Sequence, residues 1–172
     1  KPKYVPLLKQ TIKALKVSQN IFTYAKYKAF PEAFYGKIFV VVSPSTEGYL
    51  PTGTPFGSAS GHIYESMPKV LQPKFVVPKE VFEIDDYELK YFILSSFMLS
   101  EKNITYLGTA NPSTFQKILL VINEHIDVIK DDIRNGICSR LNEVKEELRP
   151  GIEKRFKKNA KRAQEIESII ND

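Results

Sequence analysis

Gly36-Lys-Ile-Phe-Val-Val-Val-Ser43 is the stretch that decides the fold, and a long polar segment, 44–64, follows it directly. The run from Ile38 to Val42 has no polar interruption, which predicts a strand buried on both faces in a parallel sheet covered by helices. Segment 44–64 contains four glycines and three prolines. Loops of this length are uncommon and are usually functional or disordered. Two interpretations therefore stay open: a mobile surface loop, or a ligand-binding loop at the carboxyl end of a central strand.

A second strand and the helix after it make the clearest local unit of the chain. Ile104-Thr-Tyr-Leu-Gly108 predicts the strand, and Asn111-Pro112 predicts a helix cap followed by proline at the first helical position. An apolar stripe with helical spacing then runs as far as Ile133. Asn135-Gly136 predicts the end of this helix, because glycine readily adopts the left-handed conformation required there.

The rest of the chain is predicted to be mostly helical. Helices are expected at 7–28, 86–99, 139–148 and 159–170, and short strand-like runs at 75–77 and 81–84. The predicted fold class is α/β: a partial open sheet of strands 37–43 and 103–108 flanked by helices, with a helical carboxyl-terminal tail. We divide the chain into a core, 1–136, with its loop 44–64, and a tail, 137–172, that packs on the same domain. Since two strands alone make a marginal sheet, the pattern favours a piece of a larger domain.

Composition limits the function classes. The chain has 172 residues, a formal net charge of +5, one cysteine and two histidines. With Cys138 as its only cysteine, it cannot form an internal disulfide, which favours a cytoplasmic protein. We expect no metal site of the His/Cys type and no membrane partner, because no apolar run reaches membrane-spanning length. Acidic and basic residues are mixed, so we expect no nucleic-acid partner, and the oligomeric state stays open.

Common catalytic motifs are absent from the sequence. There is no G-x-x-x-x-G-K-[ST] phosphate loop and no G-x-S-x-G nucleophile motif. The carboxylate pairs Asp85-Asp86 and Asp131-Asp132 fit a helix cap and a solvated helix face. Lys1 and Lys3 precede a predicted helix, which suits either an anion site or a frayed basic terminus. We therefore assign no catalytic residue within the chain.

Five segments together resemble one enzyme family in their order and spacing. They are Lys1-Pro-Lys-Tyr-Val-Pro-Leu7, the run from Gly36 to Gly61, Pro78-Lys-Glu-Val-Phe-Glu-Ile84 with Tyr91 after it, Asn103-Ile-Thr-Tyr-Leu-Gly-Thr-Ala-Asn-Pro-Ser-Thr-Phe115, and the tail from Leu148-Arg-Pro to Ala163-Gln-Glu-Ile-Glu167. They resemble the bacterial relatives of the plant auxin-responsive acyl-acid amido synthetases, which are adenylate-forming enzymes. The resemblance covers nearly the whole chain.

The resemblance implies a reaction and a set of site residues. In that family a carboxylic acid attacks the α-phosphate of ATP with Mg²⁺ present, pyrophosphate leaves, and an amine, often an amino acid, accepts the acyl group. Lys1 and Lys3 would lie at the end of the phosphate-binding loop, where a cation stabilises the charge that develops on the leaving phosphates. The acyl-acid pocket would be bordered by a further set of residues: Thr54, Tyr64, Ala110, Asn111 and Ser113.

Departures from the family pattern predict an incomplete enzyme. The chain lacks a Tyr-x-x-[Ser/Thr]-Glu adenine motif and a Tyr-Arg-x-Gly-Asp ribose motif. We therefore expect ATP and Mg²⁺ to serve a longer parent enzyme, and no cofactor for this fragment alone. The alternative is a non-catalytic module that binds a partner protein or nucleic acid through the basic residues of its helical tail.

Overall fold

A computed structural model describes residues 4–171, except for the side chain of Lys69. Its helices are α1 (Lys9–Ala29), α2 (Ala59–Glu65), α3 (Tyr87–Ser100), α4 (Ser113–Asn135), α5 (Arg149–Glu153) and α6 (Ala160–Asn171). Its strands are β1 (Lys37–Val41), β2 (Gly48–Tyr49), β3 (Pro55–Phe56) and β4 (Ile104–Thr109). Short 3₁₀ turns occur at Pro31–Phe34, Lys69–Lys74, Lys79–Val81, Leu141–Glu143 and Glu146–Leu148. None of the helices in this described part is long and apolar enough to cross a membrane.

The two predicted strands lie side by side in one parallel sheet. β1 pairs with β4, and the register runs from Lys37 opposite Ile104 to Val41 opposite Thr109. Phe75 forms a single parallel bridge to Ile38 on the other edge of β1. The predicted α/β fold with a partial sheet is therefore confirmed.

Strand β1 is less buried than predicted. Only Phe39 is fully buried, and the other four residues of β1 are partly accessible. Within the described residues β4 and the bridge at Phe75 cover the edges of β1. Its faces stay partly accessible, so the expectation of burial on both faces was wrong.

The hydrophobic core is centred on α3, where Tyr91 to Phe97 are all buried. Helices α4 and α6 pack against α3, and Ile118 and Ile166 are among the residues that they bury there. The buried Ser96 hydroxyl donates to the Phe92 carbonyl at 3.0 Å, which satisfies a polar group inside the core. Helix α3 is apolar on all sides, and a helix of this kind is normally buried in the core.

Helix α1 has the predicted position but buries none of its residues. Its apolar side chains Val17, Ile21 and Tyr24 are 50%, 65% and 63% exposed. The ammonium of Lys26 lies 4.1 Å from the Phe22 ring centroid and donates to the Tyr106 hydroxyl at 2.5 Å. This contact ties the end of α1 to the face of β4.

Segment 44–64 is more ordered than a loop. It folds into the β2–β3 hairpin and then into α2, whose first turn is capped by the Ser58 hydroxyl accepting from Ser60 N–H at 3.1 Å. A Cβ at Gly61 would overlap with the backbone nitrogen of Ser45, so only glycine allows α2 to lie against the end of β1. Both interpretations from the sequence treated this segment as a loop, because the close contact of Gly61 with Ser45 joins residues well apart in the chain and leaves no local pattern.

Three other local predictions were wrong. Segment 75–77 contributes only the bridge at Phe75, and part of 81–84 lies in a 3₁₀ turn. Segment 139–148 forms two short 3₁₀ turns in place of a helix. In the last case the Arg149 guanidinium donates to the Val144 carbonyl at 2.7 Å, a contact that holds the chain in a tight non-helical path.

Candidate ligand site at the carboxyl edge of the sheet

The carboxyl ends of β1 and β4 meet at one edge of the sheet. Val41 and Thr109 are register partners, so segment 44–64 and the turn Ala110–Ser113 leave the sheet side by side. In parallel sheets this edge is where ligands bind. The strand pairing therefore brings together the two segments that sequence reasoning selected.

The turn after β4 keeps its polar groups accessible. Asn111 Oδ1 accepts from Ser113 N–H at 3.1 Å, and Thr109 Oγ1 accepts from Asn111 N–H at 3.4 Å. Ala110, Asn111 and Ser113 are exposed, whereas Thr114 is buried. The Asn111 carboxamide thus engages the first turn of α4 through its oxygen, and its NH₂ has no acceptor among the described residues.

Thr54 lies in the tip of the β2–β3 hairpin. Its carbonyl accepts from Leu50 N–H at 2.9 Å, and its hydroxyl lies 3.1 Å from that of Thr52. Its side chain is exposed. No hydrogen bond among the described residues joins the hairpin tip to the Asn111 turn.

Tyr64 is the most enclosed of the predicted site residues. Its ring packs edge-on against Phe75 and Phe82, with centroids 5.5 and 5.2 Å away. Its hydroxyl donates to the Val77 carbonyl at 2.8 Å. Burial raises the pKa of Tyr64 from 10.0 to about 12. The hydroxyl is therefore a fixed hydrogen-bond donor and not a proton-transfer group near neutral pH.

The space between β1 and α2 is small. A cavity of about 10 Å³, with Ser43, Gly61 and Tyr64 in its lining, lies beside the end of β1. That volume holds about one water molecule, whereas ligand pockets typically have roughly 300 Å³ or more. At this edge of the sheet the described residues therefore do not enclose a ligand.

The predicted phosphate-binding lysines, Lys1 and Lys3, lie outside the described residues. Within 4–171 no group of three or more His, Cys, Asp or Glu side chains is arranged to hold a metal ion. The single thiol, Cys138, is buried, and burial raises its pKa to about 12, so it is not a nucleophile. Among the described residues there is therefore neither a metal site built from protein side chains alone nor a thiol nucleophile.

Over residues 1–172 the chain matches the family described as "GH3 family N-terminal domain". The chain belongs to the GH3 family. A search of curated protein sequences gave no match.

Two solved structures show the same fold as this GH3 chain. One, described as "GH3.15 acyl acid amido synthetase", superposes with a TM-score of 0.73 at 19% sequence identity. The other, "AtGH3.15 acyl acid amido synthetase in complex with 2,4-DB", has a TM-score of 0.80 at 19% identity. Each covers 99% of this chain, but this chain covers only 30% of either. The fold and the family resemblance expected from the sequence are both confirmed, and the chain spans under a third of those proteins.

Sequence reasoning missed the charged residues that border the small cavity in this GH3 chain. Glu65, Lys79 and Glu83 line it, and the Ser45 hydroxyl donates to Glu65 at 2.6 Å. The pKa of Glu83 is raised, mainly by its burial and next by the nearby negative charge of Glu65. No motif could have identified this group, because Glu65 ends α2 whereas Lys79 and Glu83 belong to the later 3₁₀ turn and the residues after it, and only the fold brings them together.

Replacing Tyr64 by phenylalanine tests the structural role of its hydroxyl. We expect Tyr64→Phe to lower the unfolding free energy at neutral pH by about 1 kcal/mol, since it removes a buried hydrogen bond. The pKa of Tyr64 is higher in the folded chain than in the unfolded chain, so Tyr64 ionises first in the unfolded chain as the pH rises. The hydroxyl's contribution is complete below pH 10 and is lost as the pH rises through about 12. Urea unfolding at several pH values measures both effects.

The matched control is Tyr35→Phe, on a side chain that is 72% exposed. We expect it to change the unfolding free energy by less than about 0.5 kcal/mol. The assigned role would be contradicted if the difference in unfolding free energy between Tyr64→Phe and the unaltered chain stayed constant across alkaline pH.

Proposed function

We propose that this GH3 chain supplies one wall of the acyl-acid pocket of an ATP-dependent adenylating ligase of the acyl-acid amido synthetase kind. The observation that carries the proposal is the shared sheet edge, where segment 44–64 and the Asn111 turn emerge together in a chain that matches the GH3 N-terminal domain throughout. Similarity to a fold solved in complex with 2,4-DB supports a small carboxylic acid as the ligand.

The polar groups at this edge suit an acid. The Asn111 carboxamide NH₂ and the Ser113 hydroxyl are exposed donors, and a carboxylate accepts hydrogen bonds at both oxygens. Tyr64 contributes the edge of its ring, because its hydroxyl already donates to Val77. Thr54 would border the acid only if the hairpin tip is folded over this edge.

In this proposal, catalysis depends on parts of a longer parent enzyme. The cavity beside β1 is far smaller than a ligand pocket, and the predicted phosphate-binding lysines lie outside the described residues. In the proposed parent enzyme ATP and Mg²⁺ activate the acid, Lys1 and Lys3 end the phosphate-binding loop, and an amino acid is the acceptor. This chain alone would be inactive.

Pyrophosphate exchange into ATP tests the proposal. We expect no exchange above the blank with the 172-residue chain and any of a panel of aryl and aliphatic carboxylic acids. A longer protein that contains this segment should exchange with at least one of them. Exchange by the chain alone would refute its inactivity, and a longer protein inactive with every acid would refute the ligase assignment.

The binding-module alternative has less support. Acidic partners pair with basic residues around the tail: Glu165 lies 2.7 Å from Lys102 and 3.3 Å from Arg162, and Glu167 lies 3.2 Å from Lys130. These pairs reduce the positive field that nucleic-acid binding needs. Tight binding to nucleic acid that weakens steeply with added salt would restore this alternative.

A further inference from the structure

A second, larger cleft lies at the opposite end of the sheet from the candidate acid site. It has a volume of about 270 Å³ and is lined at its rim by Lys37, Arg155 and Lys157. Lys37 is the first residue of β1, whereas the acid site begins beyond Val41. At a rise of about 3.3 Å per residue, the four residue steps from Lys37 to Val41 span about 13 Å along β1. The cleft therefore opens at the other end of β1 from the proposed acyl-acid pocket, and the two share Phe75, which lines the cleft and packs against Tyr64 with ring centroids 5.5 Å apart.

Two of the three cations are held in place by backbone carbonyls. The Lys37 ammonium donates to the Pro73 carbonyl at 2.6 Å. One terminal nitrogen of the Arg155 guanidinium donates to the carbonyls of Phe75 and Val76. These bonds use only part of the donors, because an ammonium has three N–H groups and a guanidinium has five. The remaining donors are pre-positioned, which lowers the cost of ordering them around a ligand.

The cleft has an excess of positive charge. Within residues 4–171 no carboxylate lies within ion-pair distance of Lys37, Arg155 or Lys157, whereas Lys102 and Arg162 nearby both pair with Glu165. The single acid in the lining is Glu101, whose carboxylate accepts from Asn103 N–H at 2.8 Å. Three cations and one carboxylate leave a net charge of about +2 facing the space.

Neutral groups in the lining complete the environment. Asn159 Oδ1 accepts from Arg162 N–H at 3.0 Å, so its NH₂ group remains a donor. Phe75, Val76 and Phe97 provide an apolar floor. Fixed cations, a neutral donor and an apolar floor are the combination that binds a small organic anion.

We propose that this cleft binds a small phosphate-bearing molecule. Arginine and lysine together suit a dianionic phosphate, because guanidinium donors bind its oxygens in pairs and the ammonium groups act as point charges. The apolar floor would contact the organic part of the ligand. This site lies outside the proposed acid pocket and does not depend on adenylation.

Titration with phosphate tests the site on the 172-residue chain. With ionic strength held constant, we expect inorganic phosphate to shift the backbone amide NMR signals of Ser100, Lys157 and Asn159 with a dissociation constant of about 1 mM. Phenyl phosphate should bind several-fold more tightly than inorganic phosphate if the apolar floor contacts the ligand. Equal affinity for the two would leave inorganic phosphate as the ligand and overturn the organic part of the proposal.

A charge-reversal pair supplies the control. Lys157→Glu places a carboxylate in the rim, and we expect it to weaken phosphate binding about tenfold. Lys158→Glu makes the same change in net charge at an exposed neighbour outside the lining, and we expect less than a twofold effect. Equal weakening by both variants, or no saturable shift at these amides with the unaltered chain, would overturn the proposal.

Discussion

Phe39→Ala is expected to lower the unfolding free energy by about 3–5 kcal/mol, the largest effect of any substitution proposed for this chain. Phe39 is 0% exposed and occupies the middle of β1, where it joins the sheet to the core around α3. Truncation removes the transfer free energy of the ring and leaves a cavity that the neighbouring strand cannot fill by moving. Urea unfolding followed by circular dichroism measures the change. A loss of this size is a large fraction of the stability of a typical domain.

Leu107→Ala is the matched control for Phe39→Ala. Leu107 is the register partner of Phe39 on β4 but is 49% exposed. Because half of its side chain already contacts solvent, we expect a loss of about 1 kcal/mol. Equal losses at both positions would show that Phe39 is not enclosed as described, and that the sheet does not pack on α3.

Gly136→Ala is expected to cost about 3 kcal/mol, for two separate reasons. Gly136 follows α4 with φ of +74°, a left-handed conformation that alanine adopts only with strain. A Cβ there would also overlap with the backbone nitrogen of Lys158. The chain after residue 156 crosses this point, and Asn159 N–H donates to the Ile133 carbonyl at 2.9 Å. The substitution should therefore loosen the start of α6 as well as the end of α4.

Gly53→Ala separates the two contributions. Gly53 has a similar φ of +77°, but no atom lies within 4 Å of the Cβ that alanine would add. We expect only the conformational cost, about 1 kcal/mol, in the same unfolding experiment. If Gly136→Ala cost no more than Gly53→Ala, the close crossing of the tail over α4 would be wrong.

The long elements could be predicted from the sequence because their signals are local. The stripe from Phe115 to Ile133 identified α4, and Gly136 marked its end one residue past the last helical position. Asp86 predicted the start of α3, and its carboxylate does accept from Leu89 N–H at 2.8 Å. Periodicity and caps depend on neighbours within one or two turns, so they are readable without the fold.

The errors occurred where specific backbone contacts, and not the spacing of apolar residues, decide the structure. Segment 44–64 contains α2 because Gly57 and Gly61 allow its backbone to lie against Ser45. Segment 139–148 is not a single helix, since Arg149 binds the carbonyls of Asn142 and Val144. Neither contact changes the local pattern of apolar residues, so periodicity could not reveal it.

Part of the candidate site could likewise be predicted from the sequence, and part could not. The strand-to-turn transitions after Ser43 and Thr109 were visible in the sequence, and they selected Asn111 and Ser113. Only the parallel register of Val41 with Thr109 placed the two transitions at one edge.

By itself the sequence determined the helices α1, α3, α4 and α6, the paired strands β1 and β4, and the family to which the chain belongs. The tertiary structure alone decided that Tyr64 donates its hydroxyl to Val77, and that the cations of a second cleft gather at the start of β1. The physical reason is that burial, charge and donor direction depend on which surfaces meet in space. The amino-acid sequence shows which residues each surface contains, but not which other surface it contacts.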